Sequence, residues 1–192
     1  MAGRQAKIMS DGDVRRLVAY ARRGGSPSRD VVVVLLSVKA GLRAMEIAQL
    51  TWNMITEGRA RIGRQIELSD AVAKKGSGRR IPIHPDLKQA LRELRRDTVD
   101  PTGPVVRSAR GGALRPNSIV NWFAAAFDDL GLDGCSSHSG RRTFITRAAR
   151  SAHRAGGSLR DVQMLAGHRS IETTQRYIDG DTDAQRRLVR LI

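Results

Sequence analysis

The sequence predicts one α+β domain, mainly α-helical, with a small antiparallel β-sheet insert near its middle. Three observations lead there. Apolar residues recur at helical spacing along most of the chain. Between residues 51 and 84 that spacing gives way to alternation. A length of 192 residues with 40% hydrophobic content suffices for one core, and the linkers at 100–104 and 110–112 are too short to separate domains.

Each element has its own signal. Ser10-Asp11-Gly12-Asp13 has the form of an N-cap with an acidic residue at N3, and Val14, Leu17, Val18 and Ala21 follow as a stripe that ends near Gly24-Gly25. Residues 30–40 are apolar almost all round and stop at Gly41, which predicts a buried core helix with a glycine C-cap. A short helix over 44–50 follows. In the alternating stretch Ile66 and Leu68, then Ile81 and Ile83, fall on one strand face, with Lys74-Lys75-Gly76-Ser77-Gly78 between them as a turn. Residues 85–97 carry Leu87, Leu91 and Leu94. Residues 116–130 open on Pro116 and place Ile119, Val120, Phe123 and Phe127 along one face. Further helices are expected at 139–154, 158–166, 170–179 and 182–191.

Charge narrows the partner. Thirty-four Lys and Arg against nineteen Asp and Glu leave +15, with a pI near 11.4, which points to a polyanion and most simply to nucleic acid. Aromatics are only 4%, too few for a platform that stacks single-stranded bases. Double-stranded DNA, gripped through its phosphates, fits better. No apolar run approaches the ~18 residues of a membrane span, so no membrane partner is expected. The basic N-terminus lacks the apolar stretch of a secretory signal. The single cysteine, Cys135, excludes an intrachain disulfide framework, suits a reducing cytoplasm, and is expected to be buried or half-buried. The four histidines lack the cysteine pairs or tight spacing of a zinc site.

The chemistry gathers in the last third. His138-Ser139-Gly140-Arg141-Arg142-Thr143 is followed by Ala166-Gly167-His168 and then by Tyr177. A tyrosine hydroxyl titrates near ~10 and attacks poorly until a neighbour takes or stabilises its proton. A phosphodiester in mid-transfer spreads negative charge over its oxygens, which guanidinium and imidazole donors relieve. Taken singly, each residue has an ordinary explanation: a solvated arginine, a surface His–Arg pair, a histidine at a helix end, a core tyrosine. The order in which they occur, with further pieces upstream, does not. Gly41-Leu42-Arg43-Ala44-Met45-Glu46-Ile47 leads to Leu50-Thr51-Trp52. The lysine-glycine turn then ends in Arg80-Ile81-Pro82-Ile83, and Tyr177 sits in Thr173-Thr174-Gln175-Arg176-Tyr177-Ile178.

These pieces together resemble the tyrosine recombinase (phage integrase) family over roughly residues 8–180, and imply its catalytic-domain fold. The resemblance implies a site-specific recombinase that cuts and rejoins DNA through a 3′-phosphotyrosine, with no metal, ATP or other cofactor. Tyr177 would be the nucleophile. Arg43 and Arg141 would clamp the non-bridging oxygens, His168 would add a hydrogen bond, and His138 would move the tyrosine proton. A lysine of the turn, Lys74 or Lys75, would protonate the leaving 5′-oxygen, the spacing to Pro82 favouring Lys74. Glu46 would act as supporting acid, orienting Arg43 or its histidine neighbours. Arg142 stands where the family carries a histidine. The expected partners are double-stranded DNA, further copies of the chain on that DNA, and an accessory DNA-bending or directionality protein, in the cytoplasm and on a mobile element. The whole of 1–192 reads as one catalytic domain without the family's N-terminal core-binding domain. Leu188, Val189, Leu191 and Ile192 are expected to pack between protomers or back on the chain's own core. A non-catalytic integrase-like DNA-binding accessory protein and a type IB topoisomerase-like relaxing enzyme are the competing readings.

Overall fold

A computed structural model describes residues 6–58, 61–73, 76–96, 98, 102–177, 186 and 189–190. Helix α1 (Asp11–Ala21) begins as its sequence predicts: the Ser10 hydroxyl accepts from the Asp13 amide at 3.1 Å and the Asp13 carboxylate accepts from the Ser10 amide at 3.0 Å. Helix α2 (Pro27–Ala40) starts earlier than expected, because Pro27 occupies its first turn, where a missing amide hydrogen costs nothing. It ends at Gly41 with φ 65°, a left-handed cap that glycine adopts freely. From Asp30 to Ala40 all but Lys39 are buried. The central helix thus packs against α1, against α4 (Pro85–Arg96) and against α6 (Ser139–Ser151).

Helix α3 (Ala44–Gln49) follows Gly41 closely, and a 3₁₀ turn at Trp52–Met54 leads into the strands. The sheet insert is two separate antiparallel ladders instead of one sheet. Strand β1 (Thr56–Glu57) pairs with β2 (Arg61–Ile62), and β3 (Gln65–Leu68) pairs with β4 (Arg79–Pro82). Ile66 faces Ile81 and Leu68 faces Arg79, while Ile83 lies just past β4. Helix α5 (Pro116–Asp129) buries Ile119, Phe123 and Phe127 and leaves Val120 exposed.

The C-terminal helices are shorter than predicted. Helix α6 stops at Ser151 and tightens into a 3₁₀ turn at His153–Ala155, closed by Gly156 at φ 69°. Helix α7 (Leu159–Ala166) carries a Ser158–Asp161 capping box and ends on Gly167 at φ 64°. Helix α8 (Ile171–Gln175) passes into a turn at Arg176 and Tyr177. A small apolar cluster, Ile145, Val162 and Ala166 with Phe144 and Tyr177 against it, sits beneath this region, apart from the main core. The predicted helix at 182–191 and its apolar cluster fall largely outside the described residues, although Val189 is exposed. Cys135 is half-buried. Among the described residues, no helix is long and apolar enough to cross a membrane.

Candidate active site

Glycine decides how closely the site is drawn together. A Cβ on Gly140 would collide with the Ser37 hydroxyl and lie 2.9 Å from Ser37 Cβ, so α6 rests on α2 where only glycine fits. The neighbouring Arg141 is therefore delivered to the end of α2. Its Nη1 donates to the Gly41 carbonyl at 2.6 Å and its Nη2 to the Ala166 carbonyl at 2.6 Å. Both acceptors sit at helix C-termini, where unpaired carbonyls and the helix dipole favour a cation. Arg141 is 4% exposed. Burial, then the charges of Arg43 and Arg79, pull its pKa down to about 9, so the guanidinium keeps its charge at neutral pH.

Arg43 stands at the start of α3 and is aimed by Glu46. The Glu46 carboxylate accepts from the Arg43 amide at 2.9 Å and from Arg43 Nη1 at 3.0 Å. It also takes a two-toothed pair of bonds from Arg79, at 2.9 and 3.0 Å. Burial alone would raise the Glu46 carboxyl, but the bonds and charge of Arg79, followed by the amide and charge of Arg43, outweigh it and hold the pKa at about 2.

His168 follows the Gly167 cap. Its Nε2 is 3.2 Å from Arg141 Nη2 and its Nδ1 is 2.9 Å from the Thr174 hydroxyl oxygen. A guanidinium can only donate, so Nε2 is the acceptor and the proton resides on Nδ1, which donates to Thr174. Burial, with Arg141, Arg43 and Arg79 nearby, lowers its pKa to about 4, which keeps the ring neutral at pH 7. Tyr177 stacks on it with ring centroids 5.6 Å apart. Arg43, His138, Arg141, His168 and Tyr177 all line one cleft of about 350 Å³, joined by Arg142 and Arg176. His138 is exposed at its rim, at the N-cap of α6. Among the described residues, no cluster of three or more His, Cys, Asp and Glu could hold a metal ion.

Comparison with known proteins places this geometry. The phage integrase family model matches residues 7–183. The chain belongs to the phage integrase family. Among relatives, a protein named tyrosine recombinase XerC from Mesorhizobium japonicum is 33% identical over 159 residues, covering 81% of this chain and 48% of the relative. Another of that name from Brucella suis is 30% identical over 185 residues, covering 92% of this chain and 55% of the relative. The chain thus spans about half the length of the curated relatives it matches. A crystal structure of XerA recombinase superposes with TM-score 0.72 at 22% identity over 96% of this chain and 64% of that one. A lambda integrase dimer bound to a COC' core site superposes with TM-score 0.71 at 19% identity, over 95% of this chain and 50% of that one. The expected recombinase fold is therefore the observed one.

Five of the six residues that the family resemblance singles out as catalytic meet at the cleft; Lys74 lies outside the described residues. Glu46 is buried beneath Arg43, without contact to the cleft's histidines among its hydrogen bonds. Sequence reasoning missed Arg79 and Thr174. Arg79 is in phase with Ile81 on β4, so the alternation that found the strand also marks an arginine facing inward. Thr174, fully buried and three residues before Tyr177, had no signal beyond its place in the motif.

Proposed function

We propose that this chain carries the catalytic centre of a DNA recombinase that cuts and rejoins duplex DNA through a 3′-phosphotyrosine. The observation that carries the reading is the cleft where Tyr177, four arginines and two histidines converge on a chain of net charge +15. In the forward step the Tyr177 hydroxyl oxygen attacks the scissile phosphorus, the bond from phosphorus to the 5′-oxygen breaks, and the DNA 3′-phosphate becomes attached to the ring oxygen. His138, at the open rim, takes the tyrosine proton; a hairpin lysine, Lys74, gives one to the leaving 5′-oxygen. Reversal by a different 5′-hydroxyl exchanges strands with no net change in bond type, so the step draws on no external energy source. Arg43 and Arg141 neutralise the charge on the non-bridging oxygens. Arg142, whose buried Nε has no hydrogen-bond partner among the described residues, adds a further cation to the lining.

His168 has a more particular part. In the free site its Nε2 accepts from Arg141, so it holds that guanidinium in place and offers no hydrogen to a phosphate. When a phosphate oxygen takes the same Arg141 hydrogen, Nε2 must gain a proton to donate in turn. The negative charge of the phosphate favours that gain.

Duplex DNA as substrate is supported by the charge and by the DNA-bound structural neighbour, and assembly of several copies on DNA by that neighbour's dimer. The proposal extends to a mobile-element setting in which an accessory bending or directionality protein assists, and the one cysteine suits the cytoplasm. The test is to trap the intermediate on a pool of nicked duplexes of randomised sequence, in which the short strand released by cleavage diffuses away. An SDS-resistant protein–DNA adduct supports strand transfer. DNA binding with no adduct on any member of the pool would leave a DNA-binding accessory protein instead.

A further inference from the structure

Arg79 is 4% exposed in its side chain and lies outside the cleft, yet it touches both sides of the catalytic centre. Its two terminal nitrogens grip Glu46, the carboxylate that holds the Arg43 amide and guanidinium. Its Nε donates to the Leu165 carbonyl at 2.9 Å. The next carbonyl in that turn, of Ala166, is the one that anchors Arg141, and His168 follows two residues later. Contact is tight as well as polar: a Cβ on Gly167 would be 2.9 Å from Arg79 Cδ. One guanidinium on β4 therefore fastens the start of α3 to the end of α7. A lysine cannot do this, because its single nitrogen cannot reach two carboxylate oxygens and a carbonyl in one plane.

We propose that Arg79 is a positioning residue for strand transfer, fixing through Glu46 the direction of Arg43 and through Leu165 the turn that presents His168. The inference rests on the reading of Arg43 as a phosphate clamp. A buried ion pair that served stability alone could be replaced by apolar groups with little loss. A pair that aims a reacting group could not, since small misplacement of such a group lowers rates steeply.

The experiment is a double-mutant cycle on the rate of adduct formation, with the full chain and a saturating pool of nicked duplexes. Arg79→Lys should slow the reaction by about 10- to 100-fold with DNA affinity unchanged, the range that misplacement of a catalytic group produces. In an Arg43→Ala background the same change should cost clearly less than in wild type, because one of the two groups it positions is already gone and only the arm through Leu165 and His168 remains. An equal loss in both backgrounds would overturn the proposal, as would a rate for Arg79→Lys within about twofold of wild type. Should Arg79→Lys fold poorly, the paired replacement Arg79→Met with Glu46→Leu restores an apolar packing without the aiming bonds. It should be folded and slow; a folded pair at the wild-type rate would overturn the proposal. Arg43→Ala alone separates the two levels. If it reacts at the wild-type rate, the phosphate-clamp reading itself fails. If it is slow while Arg79→Lys is not, only the role of Arg79 fails.

Discussion

Arg141 gives two of its N–H groups to backbone carbonyls at 2.6 Å, and this limits what any other cation could do in its place. Lysine would keep the charge but lose one helix end or the planar fork toward phosphate. Arg141→Lys should therefore slow adduct formation at saturating DNA by ~10² to 10³, the usual cost of one transition-state donor. A loss of only a few-fold would remove Arg141 from the phosphate clamp. His168 makes a second prediction, about pH. Its folded pKa of about 4 lies below the ordinary 6.5, so the unfolded chain binds the proton more readily. The stabilisation is complete above pH 6.5 and is lost as pH falls through 4. Glu46 acts lower, its contribution complete above 4.5 and lost toward 2. Thermal unfolding should thus show wild type losing stability between pH 6.5 and 4 more steeply than His168→Gln. Parallel curves would mean that the neutral ring is not built into the fold. The residues proposed as catalytic were readable in the sequence because their order and spacing follow a family pattern. The tautomer of His168 was not, since it depends on which atoms Arg141 and Thr174 turn toward it.

Among the elements, the contact between α6 and α2 is the most exacting. Replacing Gly140 by alanine gains about 1 kcal/mol of helix propensity. Against this stands a contact of 2.9 Å with Ser37 Cβ, which no rotation of the serine relieves. Overpacking of this kind costs about 1–3 kcal/mol, so Gly140→Ala should be destabilising on balance. Ser37→Gly in the same chain should recover part of the loss in a denaturant titration. A variant as stable as wild type would show that the helices can part without penalty. Caps and prolines made most element boundaries readable: Ser10, Gly41 and Pro116 each mark the end they were expected to mark. The ends of α6 and α8 were less readable, because a last turn that tightens to 3₁₀ or to a plain turn keeps the same apolar spacing. Arg79 escaped notice for a different reason. A charged residue beside a lysine-glycine turn looks solvated until Glu46, 33 residues away in sequence, is brought beneath it.

Across the molecule, the net charge of +15 should govern how duplex DNA, the proposed substrate, is first met. Each phosphate neutralised contributes about −0.9 to the slope of log K against log salt, so binding should weaken steeply with salt. Filter or anisotropy titrations over a range of salt would measure it, and a flat response would contradict a phosphate-led grip. Composition and charge were enough to expect this, and apolar periodicity was enough to expect a mainly helical single core. Neither could show that α2, α3, α6, α7 and β4 meet around one carboxylate, Glu46, and two buried arginines, Arg79 and Arg141, because that meeting joins segments far apart in the chain. Peptide mapping of the trapped adduct tests whether Tyr177 is the group that becomes bonded to DNA. Mass spectrometry after nuclease and protease digestion should find the nucleotide remnant on the peptide containing Tyr177, joined through a 3′-phosphate. Tyr177→Phe should bind DNA and yield no adduct. A remnant on any other residue, or an adduct that persists in Tyr177→Phe, would contradict the account.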